Sequence, residues 1–578
     1  MRPSAVLALV SASLMAGLPV LEAWGTSKSG PQPGTFLARI APADRIRQAL
    51  NRLTYGSRPG DVERVGAMGL EKWIEAQLHP ESIPENPVLA DKLRYFDTLD
   101  LSSSQLVRDY PSPQMARQML KGQVPYPTDP GMRIMVAKMA SRDHAQGQAG
   151  AAADLNSTQP KTLADLLNPD QIRSLATGTP EQRLAAFEAL PETEWDEAII
   201  AMGPGMRRAL FPAAPPSLRR KLEMADGPAR VVAVDLSEAK LLRAIYSERQ
   251  LAELLDDFWF NHFNVYLDKG ADRYLVTGYE RDAIRPHVLG RFRDLLEATA
   301  KSPAMLFYLD NWQSAGPDAP EGRSQARRGL NENYARELME LHTLGVDGGY
   351  TQKDVAEVAR CFTGWTIYRP LLDGRFYFNA RLHDDGEKLV LGVEIPAGGG
   401  VADGEKVLDI LARRPATAHS VSRQLAQRFV ADDPPEALVD RMADTFLKTD
   451  GDIRQVLETM LHSGEFWSVG AYRSKIKSPL EMAASAVRAT GGKVDFAFAL
   501  VNQVARMGQP LYRKMEPTGY SNSSTEWINT ATLVARMNFA LQLAGDRLPG
   551  VKVEVADNAS PVSPGQGIQL GSPEFQRH

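Results

Sequence analysis

Residues 331–365 constrain this chain most, because they carry two sets of helix boundary signals. Asn331 stands where a cap would accept from free backbone amides, and Gly345 stands where a left-handed residue would end the helix. Thr351 and Asp354 resemble a capping box, with Asp in the usual Glu or Gln place. The spacing predicts a helix over 331–344, a glycine turn and a second short helix. At 3.6 residues per turn, Asn331, Ala335, Leu338 and His342 share one face, flanked by Tyr334 and Leu341. Glu332 and Arg336 are four apart and pair along a second face. His342 therefore points toward a core, while Glu337 and Glu340 lie on other sides.

The same helical period recurs along the chain. It predicts helices over 44–53, after the turn at 57–61, and over 70–78, where Leu70, Trp73, Ile74 and Leu78 share a face. Leu251, Leu254, Leu255, Phe258 and His262 form a stripe, and the aromatic run 258–263 implies a helix buried on several sides. Residues 274–289 and 291–300 also read as helical, and helices resume over 404–413, 417–429, 435–447 and 452–461. After Gly364 the period changes. Short strands are expected over 365–368, 375–379 and 388–391, with turns at Asp373-Gly374 and Asp385-Gly386. The reading is a mainly α fold: one large multi-helix core over 41–550 with a small β-hairpin insertion near 365–392. A variable insertion covers about 80–235, poorly ordered near 120–160. The C-terminal extension, 551–578, ends in a short capped helix. Residues 461–466 and 570–575 echo each other, each a helix end followed by a serine cap.

Composition sets the class. Hydrophobic content of 43% and charged content of 24% over 578 residues are ordinary globular values. A formal charge of -5 gives no basis for nucleic-acid binding, and the basic cluster at 45–52 reads as a solvated helix face. Arg2 precedes an apolar run over 5–21, broken by Gly17 and Pro19, which is short for a membrane span. Residues 1–23 therefore read as a signal peptide cut near Ala23, and 24–40 as a spacer. No later segment is apolar enough to span a bilayer. The expectation is an exported protein, periplasmic or extracellular. The single cysteine, Cys361, excludes an intrachain disulfide and reads as a buried thiol.

Two readings of the polar groups stand side by side. In one, Arg336, Glu337 and His342, with Asn333, line a catalytic cleft. In the other, Asn331 caps a helix, Glu332 and Arg336 form a surface pair and His342 is a hydrogen-bonded core residue. A transition-metal site is the sharpest variant of the first, with His342, His383, Asp384 and His262 as ligands, since imidazole and carboxylate suit zinc, copper or iron. No His-Glu-x-x-His element exists, so such a site must be assembled from separate segments. His383-Asp384 lies at a strand end, either as a functional loop or as a turn in which Asp384 bonds nearby amides. No Gly-x-Ser-x-Gly elbow is present, which argues against a serine hydrolase.

Several segments together resemble a large bacterial family of exported proteins catalogued as domain of unknown function 1800. They are 51–57 (Asn-Arg-Leu-Thr-Tyr-Gly-Ser), 258–265, 331–366, His383-Asp384 with Lys388 and Leu391-Gly392, 419–434, Met507-Gly-Gln-Pro510 and 570–576. The resemblance implies an exported, mostly helical protein with no established activity. It also implies an exported sulfatase-like or phosphatase-like partner. Two functions follow as expectations. One is an exported enzyme acting on an envelope or extracellular polymer through a polar Arg/Glu/His cleft. The other is a non-catalytic binding or assembly protein working with the sulfatase-like partner.

Overall fold

Helix Pro228–Tyr246 is the longest among the described residues, and its burial organises the rest. A helix covered on all sides must pair each polar group it takes inside. Asp235 receives Arg220 at 2.7 Å and the Thr98 hydroxyl at 2.6 Å. Glu238 accepts from the Ala497 amide at 2.7 Å. Lys240 faces Asp257 at 3.3 Å, Asp256 at 3.5 Å and Glu280 at 3.7 Å. Glu280 sits on a single π-helical turn, Tyr279–Ile284, where the period predicts an uninterrupted α-helix. The wider turn brings Glu280 to the Tyr512 hydroxyl at 2.5 Å and to Arg285 at 3.3 Å.

The computed structural model describes residues 33–127, 161–317, 329–553 and 569–578, together with 132, 133, 135–137, 139 and 567. The expected export signal, the stretch at 140–160, the loop at 318–328 and most of 554–568 lie outside them. The described chain is mainly α, with three two-stranded antiparallel sheets. Expected helices appear as Pro42–Leu53, Asp61–Met68, Leu70–Leu78, Gln250–His262, Val401–Ala412, Pro415–Phe429, Glu436–Lys448 and Ile453–Leu461. The insertion is helical where it is described. Residues between Leu167 and Leu222 close a small apolar cluster of their own beside the main core.

The single expected β insertion is two separate hairpins. Trp365–Tyr368 pairs with Arg375–Phe378, and Lys388–Val390 pairs with Val393–Ile395. The second turns on Leu391 and Gly392, both at positive φ (49° and 79°), which the tightest right-twisted hairpin requires. Leucine is strained there, and its peptide is held by the Asp354 carboxylate at 2.9 Å and the Arg414 guanidinium at 2.6 Å. The third pair, Lys493–Val494 with Val551–Lys552, has no sequence signal. The two echoed segments share a serine hydrogen bond, although a helix follows it only in the second. Ser463 Oγ accepts from the Phe466 amide at 3.2 Å, and Ser572 Oγ from the Phe575 amide at 3.3 Å.

One basic residue reverses its expectation. Arg52 does not lie on a solvated face; it is buried and donates to the carbonyls of Ala471 (2.6 Å) and Val430 (3.1 Å) and to Ser474 Oγ (3.0 Å). Burial pushes its guanidinium down to about 9, against the pull of Glu481. Among the described residues, no helix is long and apolar enough to cross a membrane.

Candidate functional site

The capping signals place the 331–365 block as expected. Asn331 Oδ1 accepts from the amides of Asn333 (2.9 Å) and Tyr334 (3.2 Å), and its own amide group reaches the Leu309 carbonyl at 2.8 Å. Thr351 and Asp354 form the reciprocal capping box. Gly345 takes the left-handed conformation, φ 85°. The first helix, Glu332–Glu340, is shorter than expected, and His342 lies in the turn beyond it.

The candidate catalytic trio does not converge. Arg336 is partly exposed and bonds Gln352 at 2.8 Å, while Gln352 bonds Glu332 at 2.6 Å and Glu332 lies 3.8 Å from Arg336. That is the surface pair, extended by an amide. Glu337 is half-buried, and burial followed by Glu340 raises its carboxyl. His342 is buried against Phe263, ring centroids 5.1 Å apart. Burial, then neighbouring His262, pushes its imidazole down to about 3, and among the described residues its Nε2 has no hydrogen-bond partner.

The candidate metal ligands are equally dispersed among structural bonds. The His262 ring lies 6.2 Å from that of His342, but its Nε2 faces the His342 carbonyl at 3.1 Å and its Nδ1 faces Gln424 Oε1 at 2.9 Å. Burial lowers the His262 pKa, and a neutral ring donates only once. The His342 carbonyl and Gln424 Oε1 are both acceptors, so the neutral ring donates to one of them at a time. His383 uses Nδ1 on the Thr363 carbonyl at 2.8 Å and Nε2 on Asp403 at 3.1 Å. Asp403 also holds buried Lys388 at 2.5 Å. Asp384 is gripped in two places by Arg360, at 2.8 and 3.1 Å. Burial alone would raise the Asp384 carboxyl, and the guanidinium outweighs it, so the group ionises below its usual range.

Among the described residues, the His, Cys, Asp and Glu ligand atoms within 4.8 Å of one another form one set of three: His419, Glu436 and Asp440. None of His262, His342, His383 and Asp384 belongs to it. His419 is matched to Glu436 at 2.6 Å, and Arg423 takes the other oxygen of that carboxylate. Cys361 is buried as expected, and burial raises its thiol to about 12.

Sequence reasoning missed a pair of acids, one in the insertion and one just past its end. Glu223 and Glu238 line a cavity of about 450 Å³ walled by Tyr95, Phe96, Phe211 and Phe496. Burial raises Glu238 to about 8 with Glu223 adding to the shift, and burial raises Glu223 to about 7 with Asp235 adding. The two lie on adjoining helices, Pro216–Asp226 and Pro228–Tyr246, and no motif spacing marks them.

A family model described as protein of unknown function (DUF1800) matches residues 48–569. No curated protein and no solved structure matches the chain.

Proposed function

The chain belongs to the DUF1800 family, whose description names no reaction, and we propose from the geometry that it is an exported, non-catalytic binding or assembly protein. One observation carries this reading: Arg336, Asp384, His383 and His262 are each held by partners within the chain, so these candidate groups are tied to structural bonds. Arg336 is matched to Gln352 and Glu332, Asp384 to Arg360, His383 to Thr363 and Asp403, and His262 to Gln424 and the His342 carbonyl. A catalytic cleft instead needs groups that converge on a solvent-reachable space. The sulfatase-like partner implied by the family resemblance is the first candidate to assemble with it. In the native host, a deletion strain complemented with the Glu337→Gln chain should behave as wild type and still co-purify that partner. Failure to complement at normal abundance would return the reading to an enzyme centred on Glu337. Mass spectrometry of the native protein should find a new N-terminus between residues 17 and 30.

The Glu223–Glu238 cleft favours a second reading, acid–base chemistry on a polymer. A carboxyl kept protonated near neutral pH beside a second acid is the arrangement that glycosidic hydrolysis uses. Aromatic walls suit a sugar face. Glu223→Gln and Glu238→Gln chains that complement the deletion fully would dismiss it.

A further inference from the structure

Residues 47–63, 472–489 and 574–577 are far apart in sequence and enclose a cavity of about 440 Å³. Two of its walls carry family-like segments, 51–57 and 570–576. Its charge is lopsided. Arg47, Arg58, Arg473, Lys477 and Arg577 line it, against Glu63 and Glu574, and both acids are exposed to screening water. Arg58 is already held by Glu248 at 2.6 Å, and Arg473 gives one amino group to the Glu574 carbonyl at 2.6 Å. Among the described residues, the side chains of Arg47, Lys477 and Arg577 make no hydrogen bond or ion pair.

Lys477 is the informative member. It is 7% exposed, and its Nζ rests 3.9 Å from the centre of the Phe575 ring. Burial pushes its ammonium down to about 7; Glu481 opposes, and Arg473 and Arg536 add to the push. Glu481 is itself committed to Arg428 at 2.7 Å. A buried ammonium normally has a carboxylate against it. This one has a ring face and a cavity.

The wall is built for close approach. Gly56 adopts φ 101°, and a side chain there would meet the Ser485 Cβ at 2.8 Å. Arg473 holds a left-handed φ of 53°, uncommon for a residue with a side chain.

We propose that this cavity is an oxyanion-binding site, taking a small organic molecule whose phosphate or carboxylate group lies against Lys477 and Arg577 and whose body rests on Phe575 and Tyr472. The Arg577 guanidinium matches either oxyanion with a forked pair of bonds, and Lys477 supplies a point charge. The volume is that of a small-ligand pocket. The site shares no residue with the reading of the 331–365 block and stands or falls separately from it.

The test titrates the full chain with inorganic phosphate, glucose 6-phosphate, glucose and citrate at low ionic strength, reading calorimetry and thermal melting. At least one anionic probe is expected to bind saturably and raise the melting temperature. Glucose 6-phosphate exceeding glucose would mark phosphate as the recognised group, and citrate exceeding phosphate would mark carboxylate. Lys477→Met is expected to weaken that binding by about tenfold or more, and Arg577→Gln likewise. Arg173→Gln, on an exposed helix elsewhere, should leave it unchanged. If Lys477→Met fails to melt cooperatively, Arg577→Gln at its half-buried position decides. Absence of saturable binding for every anion, or binding that Arg577→Gln leaves intact, overturns the proposal.

Discussion

Lys388 and Lys477 are both buried, and the chain treats them in opposite ways. Lys388 has the Asp403 carboxylate at 2.5 Å and the Asp384 carbonyl beside it, with His383 on the same carboxylate. Lys477 has an aromatic ring and no carboxylate of its own. Taking an ammonium out of water costs several kcal/mol unless a counter-charge accompanies it. Around Lys388 the counter-charge comes from the chain, and the region is a strut. Around Lys477 it does not, and the region is left to draw it from solution. Two clusters with similar residue types thus differ in kind, and the difference lies in bonding, not composition.

The largest test of this contrast is Asp403→Ala. It strands Lys388 and His383 together and should destabilise the fold by about 3–5 kcal/mol in chemical denaturation. A loss below about 1 kcal/mol would deny the strut. Acid gives the next effect. His342 and His578 are both held near 3, His342 by burial and then His262, and His578 by burial against the pull of Glu481. Both rings stay neutral in the fold, while the unfolded chain binds protons below about 6.5. The stability they contribute is therefore complete above pH 6.5 and drains away as pH falls toward 3, by roughly 2 kcal/mol per ring at pH 5. His342→Leu should flatten that slope by its share, and an unchanged slope would place the proton elsewhere. Swapping each lysine for methionine sharpens the comparison further. Lys388→Met should lower stability, whereas Lys477→Met in ligand-free buffer should raise it by about 1 kcal/mol; equal signs would erase the distinction. The smallest effect belongs to Arg336→Ala. Its partners are exposed, so the change in stability should stay within about 0.5 kcal/mol.

What the sequence made legible was local. Asn331 and the Thr351–Asp354 box act within a turn of their own position, so both helix starts could be read directly, while the first helix ends at Glu340, short of the expected 344. The hydrophobic stripe of Gln250–His262 was visible for the same reason. The rest depends on partners far along the chain. Nothing near Arg52 announces that the Val430 and Ala471 carbonyls wait for it, some 380 and 420 residues on. The π-turn at Glu280 answers to Lys240 and Tyr512, not to its neighbours. His383-Asp384 looked like a loop free to bind a metal because Arg360 and Asp403 were not yet beside it. The Lys477 cavity is assembled from three segments, and no spacing within one of them hints at the others.

The contact between Asn51 and His578 ties together two segments that lie far apart in sequence. His578 donates Nδ1–H to the Asn51 carbonyl at 3.0 Å across 527 residues, and its backbone pairs with Lys475 at 2.9 and 3.3 Å. Helix Pro42–Leu53 therefore takes several of its anchors, at Val430, Ala471 and His578, from late in the sequence. Contacts this distant in sequence form slowly and leave sticky surface waiting. A change at His578 would therefore be felt first in the helix Pro42–Leu53, hundreds of residues away in sequence.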